Sequence, residues 1–161
     1  MAKPEQTFLT ELKKSFIHYG AFFHKIADSL HHPAMKSRFD LPKPFDAIAA
    51  FAGTPIAIEA KVLRKYEAFG VRHLRPCQVE GLDWFAENGS SYVFLNIRHA
   101  GNKAEGIKRI NRLYMFEWGD FKRREVIKKN EFDQFLYIDK KDGIFPIVDW
   151  LAFLDARRLG E

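Results

Sequence analysis

The segment "PFDAIAAFAGTPIAIEAKVLR", from Pro44 to Arg64, limits the possible folds more than any other stretch. Small and branched apolar residues flank "AGTP", the pattern of a buried β-hairpin. Yet the segment carries an aspartate at one end, and a glutamate and a lysine two apart near the other. Burying a charge costs several kcal/mol unless it is paired or holds an ion. Side chains alternate along a strand, so Ile56, Ile58, Ala60 and Val62 share one face while Glu59 and Lys61 share the other. A four-residue turn over "AGTP" pairs Phe51 with Ile56 and sets Asp46 opposite Lys61, one pair beyond Ile48 and Glu59. Three charged groups then converge at one end of a hairpin whose other face is apolar. A one-residue slip would send Asp46 to the wrong face, so the register is part of the expectation.

Two neighbouring carboxylates repel, and a hard divalent cation relieves that repulsion. Mg²⁺ is commonly held by one or two carboxylates, with waters and phosphate oxygens completing its shell. Such an ion polarises a phosphodiester and screens the charge that develops on it, while an adjacent lysine can orient the attacking water. The trio therefore suits phosphodiester hydrolysis. The plain alternative is an ion-pair ladder on a half-exposed hairpin, worth about 0–1 kcal/mol per pair.

The rest of the chain sets the frame. At 161 residues, 47% hydrophobic and 15% aromatic, it is long enough for one domain with its own core and too short for two substantial ones, so one domain over 1–161 is expected. "MAKPEQTFLT" lacks the apolar stretch of an export signal, and no apolar run approaches the roughly 18 residues of a membrane span. A soluble, cytoplasmic protein is the expectation. The lone cysteine, Cys77, has no internal disulfide partner and fits a reducing compartment. A net charge of +5 suits an acidic partner such as nucleic acid.

Phe8, Leu9, Leu12, Phe16 and Tyr19 recur at helical spacing, which predicts a helix over Thr7–Tyr19 stopped by Gly20. Ala21–Asp28 reads as a strand, and the proline-broken Ser29–Pro44 as a loop of the length that is usually functional. The hairpin strands are expected at Phe45–Phe51 and Ile56–Leu63. Pro76 is placed to open a helix that runs to about Asn88. Ser91–His99 is an apolar strand, "GNKAEGIKRINR" a basic loop, "LYMFEW" a further strand, and Pro146–Leu159 a closing helix with Ile147, Trp150, Leu151 and Leu154 on one face. Lys122–Lys141 fits no single element.

Asp46 in "PFD", followed by Glu59 and Lys61 in "EAK", resembles the PD-(D/E)xK nuclease signature, with one residue inserted between proline and aspartate. The order helix, strand, strand, strand, helix, strand over about residues 5–99 is similar to the αβββαβ core of the restriction-endonuclease-like α/β fold, a mixed central sheet flanked by helices. Residues from about 100 to 161 would add a strand and helix extension. Gln78 in "RPCQVEGL" resembles the glutamine that Holliday-junction resolvases of the RecU type carry at the start of the second helix. Glu11 in "FLTELKKS" stands where the superfamily often has a further acid on the first helix. RecU-type enzymes carry a long stalk before the aspartate strand, and here only the Ser29–Pro44 loop is available.

The resemblance implies a metal-dependent endonuclease that hydrolyses DNA and leaves a 5′ phosphate, with four-way junctions as the favoured substrate and a homodimer to make paired cuts. It implies Asp46 and Glu59 as ligands for Mg²⁺ or Mn²⁺, Glu11 as an outer ligand, Lys61 as the residue that positions water, and Gln78 as an orienting amide. Another DNA-processing or restriction-type nuclease, or a non-catalytic DNA-binding module of the same fold, are the alternatives. Lys13, Lys14, Arg38, Lys43, Arg64, Lys65, Arg72 and Arg75 flank the expected site and could neutralise phosphates. Lys103, Lys108, Arg109 and Arg112 form a second basic group at a distance the sequence does not give. His24, His31 and His32 lack the spacing of a transition-metal site. Trp84, Trp118 and Trp150 read as core or interface residues.

Overall fold

The computed structural model describes residues 3–27, 43–101, 104, 106 and 108–159. Helix α1 (Pro4–His18) opens with proline in its first turn and buries Phe8, Leu9, Leu12, Ser15 and Phe16. It ends as expected at Gly20, whose φ of 75° lets the Gly20 and Ala21 amides turn back onto the Ile17 and Phe16 carbonyls at 3.0 and 2.9 Å.

The chain then builds a sheet from β1 (Phe22–Lys25), β2 (Ala47–Phe51), β3 (Thr54–Leu63), β5 (Ser90–His99), β6 (Ile110–Glu117) and β8 (Ile138–Asp139), in the spatial order β1-β2-β3-β5-β6-β8. β3 and β5 run parallel and every other pair is antiparallel, so the sheet is mixed. A two-stranded ribbon joins β4 (Phe69–Gly70) to β7 (Val126–Ile127). Helix α2 (Pro76–Ala86) connects the parallel strands, α3 (Trp118–Arg124) follows β6, and α4 (Val148–Leu159) closes the chain.

Two cores cover the two faces of the sheet. On one, α1 and α4 pack Phe8, Leu12, Phe16, Leu151 and Leu154 against Ile56, Ile58, Ala60, Tyr92 and Phe94. On the other, Leu82 of α2 and Trp118 and Phe121 of α3 meet Ala57, Val93, Leu95 and Ile97. The strand alternation read from the sequence is thus realised, with Ala57, Glu59 and Lys61 on the α2 side. This is the expected αβββαβ order, and the segment after residue 99 adds β6 and β8 to the same sheet.

Several boundaries differ. The first strand is shorter than Ala21–Asp28, and residues 28–42, including Arg38, His31 and His32, lie outside the described residues, as does Lys103. The basic stretch after Gly101 ends earlier than expected, because Ile110, Asn111 and Arg112 already pair with β5. Trp118 starts α3 instead of ending a strand. Lys122–Lys141 resolves into the end of α3, β7, a 3-10 turn over Lys129–Gln134 and β8. Trp118 and Trp150 join the cores as expected, but Trp84 is 67% exposed.

The hairpin register also needs correction. Its turn is the residue pair Ala52 and Gly53, both at positive φ (48° and 81°), the geometry that matches strand twist in a two-residue hairpin. Phe51 therefore pairs with Thr54, and Ala47 with Ile58. Pro55 sits inside β3, before that strand's first pair with β5, Ile56 with Ser90, so its missing N–H interrupts nothing there. The slip from the expected register is two residues, an even number, so Asp46 keeps the face of Glu59 and Lys61.

Candidate active site

Asp46 stands where β2 begins to part from its neighbours. Its N–H donates to the Ile58 carbonyl at 3.0 Å, its own carbonyl accepts from Ile26 N–H at 2.9 Å, and its carboxylate oxygen Oδ2 accepts from Ala60 N–H at 2.9 Å. The side chain thus occupies the position in the ladder that a further residue of β2 would fill. That bond fixes the carboxylate against the backbone between Glu59 and Lys61. Its other oxygen, Oδ1, meets the Lys43 ammonium at 2.7 Å.

Glu59 is fully buried. Its Oε1 accepts from Lys61 Nζ at 2.7 Å and from Gln78 Nε2 at 2.5 Å. Its Oε2 is buried and has no hydrogen-bond partner among the described residues. Burial first, and the Asp46 charge second, push the Glu59 carboxyl up to about 7, while Lys61 and Lys43 pull the other way. A half-protonated buried acid with an empty oxygen is costly for a fold to keep.

Gln78 is held by helix geometry. Pro76 opens α2, which makes Gln78 the third helical residue, and its Oε1 accepts from the Arg75 N–H at 2.9 Å. With Oε1 committed there, Nε2 is left to face Glu59. The expected neighbours Asp46, Glu59, Lys61 and Gln78 are therefore brought together from β2, β3 and α2.

Glu11 is not brought to them. Its Oε1 meets Lys140 Nζ at 2.7 Å and its Oε2 bonds Arg98 Nη2. Arg98 shares the face of Tyr92 and Phe94, the α1 side, because it lies an even number of residues from them on β5. On α1 Glu11 flanks the buried stripe of Phe8, Leu12 and Phe16, and the helix carries that edge along the opposite face of the sheet from Glu59.

Lys43, expected to contact phosphates, is instead largely buried in the site on Asp46. Lys13 and Lys14 are exposed on α1, the helix that covers the other face, while Arg64, Lys65, Arg72 and Arg75 are exposed between β3 and α2. Cys77 is half-buried with its thiol 3.7 Å from the Lys43 carbonyl. His24 is exposed and stacks on Phe22. Sequence reasoning missed Lys43 as the partner of Asp46; the i,i+3 spacing of the two was its available signal.

Asp46 and Glu59 fit a divalent cation by their chemistry: two carboxylates on one face, one with an unclaimed oxygen. Among the described residues no cluster of three or more His, Cys, Asp or Glu side chains is gathered, so such an ion would need water or phosphate oxygens to complete its shell.

No family model matches this sequence, and no curated protein does. Among solved structures the chain is similar to Hjc of Archaeoglobus fulgidus, a Holliday junction resolvase from an archaeal hyperthermophile, at 21% identity and a TM-score of 0.53 over 80% of this chain and 90% of that one. The two share a fold. It is the restriction-endonuclease-like fold expected from the order of elements. Within this sheet Glu59 and Lys61 lie on the central strand β3, and Asp46 immediately precedes β2. Among the described residues no helix is long and apolar enough to cross a membrane.

Proposed function

We propose that this chain is a metal-dependent endonuclease that hydrolyses DNA phosphodiesters, with four-way junctions as its favoured substrate. The observation that carries the reading is Glu59 Oε2, buried beside Asp46 and Lys61 without a hydrogen-bond partner among the described residues. A carboxylate oxygen left without donors in a closed fold is poised for a ligand the protein does not itself supply. Asp46 and Glu59 would hold Mg²⁺ or Mn²⁺, which supplies polarisation of the phosphodiester and neutralisation of its developing charge. Lys61, whose side chain is 18% exposed, reaches from the buried acid toward solvent and positions the attacking water. Gln78 is a positioning residue that fixes Glu59 Oε1 and so aims Oε2. Lys43 neutralises Asp46 while the carboxylates await a cation.

The likeness to an archaeal junction resolvase supports branched DNA as substrate, and the +5 charge agrees with a polyanionic partner. Paired cuts across a two-fold junction call for a homodimer acting in recombination or repair. The whole chain, 1–161, would serve as one nuclease domain.

The test is incubation of the protein with labelled four-way junction, linear duplex and single strand, in Mg²⁺ or in EDTA, beside Lys61→Ala. Symmetric, metal-dependent nicking of the junction, lost in the variant, is the expected result. Metal-dependent cutting of duplex alone would remove the junction assignment. Intact binding without cleavage of any substrate would overturn the nuclease and leave a DNA-binding module.

A further inference from the structure

Past the acid pair, β3 ends at Leu63 while β5 runs on beside it to His99. Leu63, the last residue of β3, pairs with Ile97, so Arg64 leaves β3 beside Arg98, which still pairs with Asn111 of β6, and Arg109 precedes Ile110, the partner of His99. These residues meet around one cleft of about 610 Å³, lined by Arg64, Arg98 and Arg109 with His99, and by Pro4 at the start of α1. No acidic side chain lines it among the described residues. Glu11 offsets the charge of Arg98 from behind, so Arg64 and Arg109 are the two exposed guanidiniums whose mutual repulsion an anion in the cleft would relieve.

The cleft is built as well as charged. Arg98 Nε donates to Asn96 Oδ1 at 3.0 Å, and its Nη2 bonds Glu11. Asn96 is fully buried and is itself fixed by Nδ2 bonds to Asn111 Oδ1 at 2.7 Å and to the Arg112 carbonyl at 2.9 Å. Glu11 also ties in Lys140 from the far end of the chain. The acid thus acts as a bracket that presents Arg98, while Arg64 and Arg109 stay exposed. Preorganised guanidiniums suit phosphate, whose oxygens they bind in pairs.

We infer that this arginine cleft binds backbone phosphates of the same nucleic acid whose scissile phosphate lies at Asp46 and Glu59. This rests on the nuclease reading for the placement of the scissile phosphate. Arg64 follows Lys61 by three residues, about 10 Å along an extended chain. That span corresponds to about three phosphates of one DNA strand at 3.4 Å each along the axis. Lys61 faces α2, whereas Arg64, just past the end of β3, lines the cleft with Val62, Arg98 and Pro4 on the α1 side. The nucleic acid therefore crosses the end of the sheet, from the acid pair on one face to the cleft on the other.

The test is a salt titration of binding to labelled junction and duplex in EDTA, for wild type, Arg64→Ala, Arg109→Ala and the double variant. Lys129→Ala, an exposed charge on the 3-10 turn outside both sites, serves as control. Each phosphate that the protein no longer neutralises makes the slope of log affinity against log salt shallower by about 0.9. The double variant should show a slope shallower by about 2 and an affinity at least about tenfold lower near physiological salt, with an unchanged melting temperature and an unaffected Lys129→Ala. A folded double variant with the wild-type slope overturns the cleft. So does millimolar inorganic phosphate that stabilises wild type but not the double variant while DNA affinity is the same in both, because the cleft would then serve a free phosphate. Cleavage is scored separately in Mg²⁺. Slope loss in a protein that cuts nothing would overturn the nuclease reading alone, and cutting without slope loss the cleft alone.

Discussion

Glu59 and Glu11 are two carboxylates on opposite faces of one sheet, each with two donors, and they differ in how the donors are shared. Glu11 gives one oxygen to Lys140 and the other to Arg98. Glu59 spends a single oxygen on both Lys61 and Gln78, and its other oxygen, at 0% exposure, has no partner among the described residues. The first arrangement completes itself and ties β5 to α1 and to the segment after β8. The second is incomplete without something from outside. Charge and partial burial alone would rank both as candidate ligands; the distribution of donors separates them.

The largest effects should fall on the incomplete carboxylate and its lysine. Lys61→Ala should lower metal-dependent cleavage by about 10²–10⁴-fold, the range for loss of a group that handles the proton-bearing nucleophile, while Mn²⁺ binding persists. Asp46→Asn should lose both. Equal Mn²⁺ affinity in wild type and Asp46→Asn, read by calorimetry, would remove the cation from the site and with it the contrast to Glu11.

Next in size is the response of Glu59 to pH. Its carboxyl is raised from 4.5 to about 7, so the native apo protein holds a proton that the unfolded chain has released. The stability this group contributes is therefore full below pH 4.5 and is lost as pH rises through about 7, a swing of about 3 kcal/mol. Glu59→Gln should flatten that swing in denaturant titrations between about pH 5 and 8 and make the apo protein more stable at about pH 8, while abolishing metal binding. A profile that keeps its slope in the variant would assign the titration elsewhere. Metal affinity of the wild type should fall as pH drops below about 7, since the cation must displace the proton.

Glu11→Gln tests the opposite pole. Its ion pairs are partly shielded, between the surface and buried cases, so the expected cost is about 1–3 kcal/mol of folding stability with unchanged Mn²⁺ affinity. Weakened metal binding at full stability would return Glu11 to the ligand set. Last comes Gln78→Ala, which loses two hydrogen bonds, from Arg75 N–H and to Glu59 Oε1, for about 1–3 kcal/mol of stability. Because the amide favours the charged form of Glu59, its loss should also move the pH midpoint of metal binding upward. A stability loss with no movement of that midpoint would make Gln78 a helix-start residue and nothing more.

Much of the site is legible because its geometry is local. Glu59 and Lys61 are two residues apart on a strand, and Pro76 marks where α2 begins and hence where Gln78 sits. The hairpin register is not legible in the same way, because "AGTP" looks like a turn through its proline, whereas Ala52 takes the left-handed conformation and Pro55 joins the strand. The site survives the difference, since an even slip preserves the face. The misplaced Glu11 has the converse cause. A helical wheel orders residues around one axis and carries no information on which face of a sheet the helix will cover.

Short-range geometry along the chain accounts for the αβββαβ order, the alternating faces of β3, the carboxylates and lysine on one of them, and the helix that begins beside them. The distribution of donors follows from long-range packing. Arg98 lies 87 residues from Glu11 and Lys140 129, and the three arginines of the cleft come from three segments. Strand alternation and helix starts follow from backbone sterics within a few residues. Which oxygen is satisfied and which is left bare depends on where distant strands and helices finally pack, and that is fixed by burial of the whole core.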